Sequence, residues 1–112
     1  MKVCKNICSE CPFSKNSVPG WLGPYNSPQE LHRLVMVADQ PFPCHKKQDM
    51  TLEKGDIGTK RYPLCRGSLA YMKKNAKRHK IPEIQEKMDN LTDSDIKSVF
   101  SVPKFIEHHN KK

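Results

Sequence analysis

The sequence predicts a mostly α, small, irregular and loop-rich domain organised around a four-cysteine metal or iron–sulfur site, and three observations predict it. Four of the five cysteines fall in three separated clusters, Cys8-Ser-Glu-Cys11-Pro12, Cys44-His45 and Cys65-Arg66-Gly67. Apolar residues recur at helical spacing behind serine, threonine and proline start signals, with no alternating strand pattern longer than a few residues. Only 36% of the 112 residues are hydrophobic, so burial alone is a lean source of stability for a domain of this size. A structural metal contributes on the order of 10 kcal/mol to folding and makes such a chain viable.

The elements follow in order. Ser14 to Gly20 is rich in turn formers, and Trp21-Leu22-Gly23-Pro24-Tyr25 reads as a loop packed by its own aromatics. Ser27-Pro28-Gln29-Glu30 supplies an N-cap hydroxyl, a proline at the first helical position and an acid at the third. The helix it opens carries Leu31, Leu34, Val35 and Ala38 and is expected to end near Asp39, ahead of Pro41 and Pro43. Residues 46 to 64 read as an exposed connection.

A second helix is expected to open just after Cys65-Arg66-Gly67-Ser68 and to run to Lys80, with Cys65, Leu69, Met72 and Ala76 on one inward stripe. Lys73, Lys74, Lys77, Arg78 and Lys80 then cover its other faces. Pro82 starts a short helix through Met88, Thr92 caps one from Asp93 to Phe100, and Pro103 starts a last turn or two. His32 and His79 read as members of solvated faces, and His108 and His109 as part of a tail. A minor hairpin near the metal completes the expectation. The predicted organisation is a cysteine-ligated metal or cluster domain over 1–81 and a helical basic C-terminal extension over 82–112.

An odd number of cysteines and the absence of a leader pattern favour a reducing cytosol, where clustered thiols imply metal or redox chemistry. Two thiolates two residues apart close on one metal across a tight turn, as Cys8 and Cys11 can. Cys44 and Cys65 complete four soft ligands, enough for tetrahedral zinc or a 4Fe-4S cubane. Isolated cysteines arriving from dispersed loops place iron–sulfur ahead of zinc. Cys4 extends the first pair to Cys4-x3-Cys8-x2-Cys11, the spacing of radical S-adenosylmethionine enzymes, but the chain is too short for their barrel. Cys4, His45 and Trp21 are therefore expected around the ligands without binding the metal.

The wording Cys8-x2-Cys11-Pro12-Phe13, Pro19-Gly20-Trp21-Leu22-Gly23-Pro24-Tyr25, Gln40-Pro41-Phe42-Pro43-Cys44-His45 and Cys65-x-Gly67 resembles a family of small, mostly uncharacterised phage and prophage proteins. The resemblance covers roughly residues 8 to 72, and the same four cysteines recur in it. It implies a phage origin and a host-cytoplasm setting and brings no settled activity; the basic extension from Lys73 onward lies outside it.

With no internal repeat, no Gly-rich phosphate loop and every cysteine better explained as a ligand, the sequence points to a protein that is not an enzyme. The formal net charge of +8 favours acidic partners, and Lys73, Lys74, Lys77, Arg78 and Lys80 are the candidate contacts to DNA or RNA. The plainer reading of these residues is a solvated helix face. Two alternatives stay open: a structural-zinc protein that binds and inhibits or redirects a host protein, and a redox or sensor protein. No stretch approaches a membrane span, so no membrane partner is expected.

Overall fold

The computed structural model describes residues 3–4, 7, 11–20, 22, 27–38 and 64–110. Among the described residues five short helices follow in order: α1 (Pro28–Met36), α2 (Arg66–Lys74), α3 (Pro82–Asp89), α4 (Asp93–Lys97) and α5 (Val102–His109). The protein is thus small, mostly helical and loop-rich. Two isolated bridges, Val3 with Leu64 in parallel and Ser14 with Val99 in antiparallel sense, stand among the described residues where a hairpin was expected.

The caps act as the sequence predicts. Glu30 N–H donates to Ser27 Oγ at 3.1 Å, and Pro28 follows at the first helical position, where its missing N–H costs nothing. Thr92 and Asp95 form a reciprocal capping box on α4. That helix is shorter than expected, because after Lys97 the chain extends and pairs with the segment after Cys11: Lys15 N–H donates to Ser98 O and Phe100 N–H to Phe13 O.

α2 stops at Lys74, a turn and a half before the expected end at Lys80. Ala76 lies in the left-handed region at φ 61°, Lys77 N–H reaches back to Met72 O at 2.9 Å and Ala76 N–H to Lys73 O at 3.2 Å. This is a Schellman ending with alanine where glycine is usual. A left-handed alanine costs about 1 kcal/mol relative to glycine, so Ala76→Gly is expected to raise stability by about that amount in a denaturant titration. An unchanged or lower midpoint would show that the strain is absent.

α2 is the centre of the packing, against α1, α3 and α4, while α5 packs on α1. Phe13, Tyr71 and Phe105 form an aromatic triangle with ring centroids 4.8, 5.2 and 5.0 Å apart, all three fully buried. Leu31, Val35, Leu69, Met72, Ile84, Met88 and Val99 surround it. Residues from α3 and α5 therefore share one core with α1, α2 and the turn after Cys11, and Ile96 of α4 packs against it.

One ion pair ties the N-terminus of α2 to α4. Arg66 Nε and Nη2 donate to Asp95 Oδ1 and Oδ2 at 3.0 and 2.6 Å, and Nη1 reaches Cys4 O at 3.5 Å. The guanidinium, aided by the Thr92 cap, holds the Asp95 carboxyl down at about 2. A depressed carboxyl contributes stability that is present above its ordinary pKa of 3.8 and lost as pH falls through about 2. Asp95→Asn is expected to cost about 1–2 kcal/mol at pH 7 and to flatten the loss of stability between pH 4 and 2. An acid-unfolding profile identical to the parent's would exclude this role.

Candidate metal centre

The turn Cys11–Ser17 and the start of α2 meet at a pair of sulfurs. Cys11 Sγ and Cys65 Sγ stand 3.4 Å apart although 54 residues separate them, and both side chains are buried. Cys11 enters from a tight turn in which Ser14 N–H donates to Cys11 O and Ser17 N–H to Ser14 O. Cys65 is the N-cap of α2, with extended backbone, and its carbonyl accepts from Ser68 Oγ at 2.8 Å and Leu69 N–H at 3.3 Å.

Gly67 permits the approach. A Cβ built on it would lie 2.3 Å from Cys11 Sγ, so any side chain there collides with the sulfur. The glycine of the Cys65-x-Gly67 wording is explained by this lack of space for a Cβ.

The electrostatics of the pair depend on what shares its proton. Hydrogen bonding to Cys11, then burial, pushes the Cys65 thiol well above its ordinary range. The N–H groups of Ser68 and Gly67 at the start of α2 pull the other way, acting on the sulfur as dipoles without closing a capping bond. A cation between the sulfurs would reinforce those dipoles and replace the shared proton.

Of the expected ligands, Cys11 and Cys65 are thus brought together, while Cys8 and Cys44 lie outside the described residues, as do His45 and Trp21. Cys4 pairs along the main chain with the residue before Cys65, its N–H donating to Leu64 O at 3.0 Å. Among the described residues no group of three His, Cys, Asp or Glu side chains gathers to hold a metal.

The basic residues are arranged differently from the expected continuous helix. Lys73 and Lys74 end α2, and their ammonium groups cap neighbouring helices: Lys73 Nζ donates to Asp89 O at 3.3 Å, and Lys74 Nζ to Val99 O at 2.8 Å and Ile96 O at 3.3 Å. Asp89 O and Ile96 O belong to the last turns of α3 and α4, where positive charge is favoured, and Val99 O lies just beyond α4. Lys77, Arg78 and Lys80 lie in the connection to α3, with Arg78 and Lys80 exposed. Asn75, the polar side chain beside them, is bound to Tyr71 O, Phe100 O and Val102 N–H.

The histidines differ most from the sequence reading. His79 is buried, its Nδ1 accepting from Ile81 N–H at 3.0 Å, and His32 Nδ1 pairs with the Tyr71 hydroxyl at 2.9 Å. His109 is 1% exposed and holds Pro12 O and Gly20 N–H, so the expected tail is a packed helix end. A histidine's neighbours across the fold leave no local signal in sequence, and these placements had none.

No protein family, curated protein or solved structure matches the chain. Among the described residues no helix is long and apolar enough to cross a membrane.

Proposed function

We propose that the chain is a small, non-enzymatic metal-binding module in which Cys11 and Cys65, with Cys8 and Cys44, hold one metal centre that stabilises the fold. The observation that carries this reading is the buried sulfur pair at 3.4 Å, cleared of side-chain atoms by Gly67. It also bears on the metal. Two thiolates on one tetrahedral zinc, each about 2.3 Å from the ion, stand about 3.8 Å apart. Thiolates on separate irons of a cubane diverge from different corners, so the close pair favours a single-ion zinc centre. The 4Fe-4S cluster is the second reading, favoured by the dispersed positions of Cys44 and Cys65.

Anaerobic purification followed by metal and sulfide analysis tests both. Colourless protein with one zinc per chain is the expected result. Brown protein with equal iron and acid-labile sulfide would establish the cluster instead, and protein that folds without either would overturn the metal reading.

The macromolecular role follows from charge. With a net +8 and with Arg78 and Lys80 exposed beyond α2, the module is suited to nucleic acid or an acidic host protein in the cytoplasm of a phage-infected cell. Binding to DNA or RNA is expected to weaken steeply with salt and to fall on charge reversal at Lys77, Arg78 and Lys80 with the metal retained. Failure of single- and double-stranded forms to bind at low salt would redirect the search to a host protein.

A further inference from the structure

We propose that His109 is the positioning residue of the Cys11 arm of the metal centre, a clamp by which α5 sets the geometry of a ligand turn at the other end of the chain. The inference rests on the metal reading above and extends it to a residue outside the cysteine clusters.

The clamp is built through both ring nitrogens. His109 Nδ1 accepts from Gly20 N–H at 3.1 Å and therefore carries no proton. Nε2 consequently carries it and donates to Pro12 O at 2.7 Å, which fixes one neutral tautomer. Burial lowers the pKa of the imidazole further and keeps it in that form. Beside it, His108 Nε2–H donates to Ser17 O at 2.8 Å. Adjacent residues of α5 thus hold the segment after Cys11 at Pro12, Ser17 and Gly20.

Position gives the clamp its purpose. Pro12 follows Cys11 directly, and the carbonyls on either side of Pro12 O are bound by main chain, Cys11 O by Ser14 N–H and Phe13 O by Phe100 N–H. Pro12 O instead accepts from side chains, the short bond from His109 and a longer one from Ser17 Oγ at 3.4 Å. Rotation of the backbone there would swing Cys11 Sγ away from Cys65 Sγ, so the imidazole holds the sulfur spacing as well as the turn. The ring also packs edge-on against Phe105, at 5.0 Å between centroids, which ties the ligand turn to the aromatic core.

The test compares side chains of similar bulk in the metal-loaded protein. Glutamine carries an N–H donor and a carbonyl acceptor that can take the places of Nε2 and Nδ1, whereas methionine fills the space and offers neither. Transfer of bound metal to a competing chelator is expected to be roughly tenfold faster in His109→Met and within about threefold of the parent in His109→Gln. Phe105→Leu, which loosens α5 without touching the hydrogen bonds, is the control for general destabilisation. Equal rates in parent and His109→Met, or equal acceleration in His109→Met and Phe105→Leu at matched melting temperature, would overturn the proposal. Should methionine prevent folding, His109→Gln alone decides, since loss of metal tenfold faster than the parent would equally exclude the clamp. A parent protein that binds no metal fails at the first measurement and overturns the metal reading itself.

Discussion

Cys65→Ser is expected to abolish metal retention and to leave a largely unfolded chain. Serine is a better helix N-cap than cysteine, so the substitution removes the sulfur while keeping or improving the start of α2. Any loss of stability is then assigned to ligation. The metal contributes on the order of 10 kcal/mol in sites of this kind, comparable to the whole stability of a small domain. Cys11→Ser, Cys8→Ser and Cys44→Ser are expected to behave alike, and Cys4→Ala to match the parent, because Cys4 lies outside the proposed ligand set. Metal content and thermal melting, each with and without chelator, check the set. A Cys65→Ser protein with full metal and parental melting would sink the ligand assignment, and equal metal loss in Cys4→Ala would show that the ligand set is wrong.

Helix starts were legible in the sequence because their signals are local. Ser27 and Thr92 each satisfy an orphan N–H group from within one turn, as N-caps read from the sequence, and the reciprocal bond from Asp95 at the second was not read. Helix ends were less so. The stop of α2 uses Ala76 in a left-handed conformation, and an alanine inside an apolar stripe signals continuation. The tertiary bonds of Asn75 to Phe100 O and Val102 N–H hold the chain there, and such partners are invisible to periodicity. The lysines illustrate the same limit: Lys73 and Lys74 read as solvent charge, yet they bind carbonyls of α3 and α4, Asp89 O and Ile96 O.

For the candidate site the types of residue were legible and their geometry was not. Cysteine clustering marked Cys11 and Cys65 as partners, and the structure places their sulfurs in contact. The Cys65-x-Gly67 wording was visible, whereas the reason for glycine required knowing which sulfur lies over it. His109 was missed altogether. A histidine near a lysine-rich end resembles a tail unless its two ring nitrogens are known to have partners at Pro12 and Gly20.

Gly67→Ala is expected to release the metal and lower stability, although in an open helix the same change is favourable by about 1 kcal/mol. The new Cβ would lie 2.3 Å from Cys11 Sγ, and the buried sulfur must move, which separates it from Cys65. Overpacking of this kind costs about 1–3 kcal/mol before the lost ligation is counted, so it outweighs the helix gain. The next neighbours, Ile7 Cγ2 at 3.5 Å and Cys11 Cβ at 3.6 Å, are ordinary contacts. The sulfur alone is therefore the obstacle, and removing it should reverse the sign. In metal-free protein carrying Cys11→Ala, a further Gly67→Ala is expected to stabilise by about 1 kcal/mol, the helix-propensity gain restored. A denaturant-based double-mutant cycle measures this coupling directly. Additive effects at the two positions, or a Gly67→Ala protein that keeps its metal against chelator as the parent does, would mean that Cys11 does not sit over the start of α2 as a ligand must.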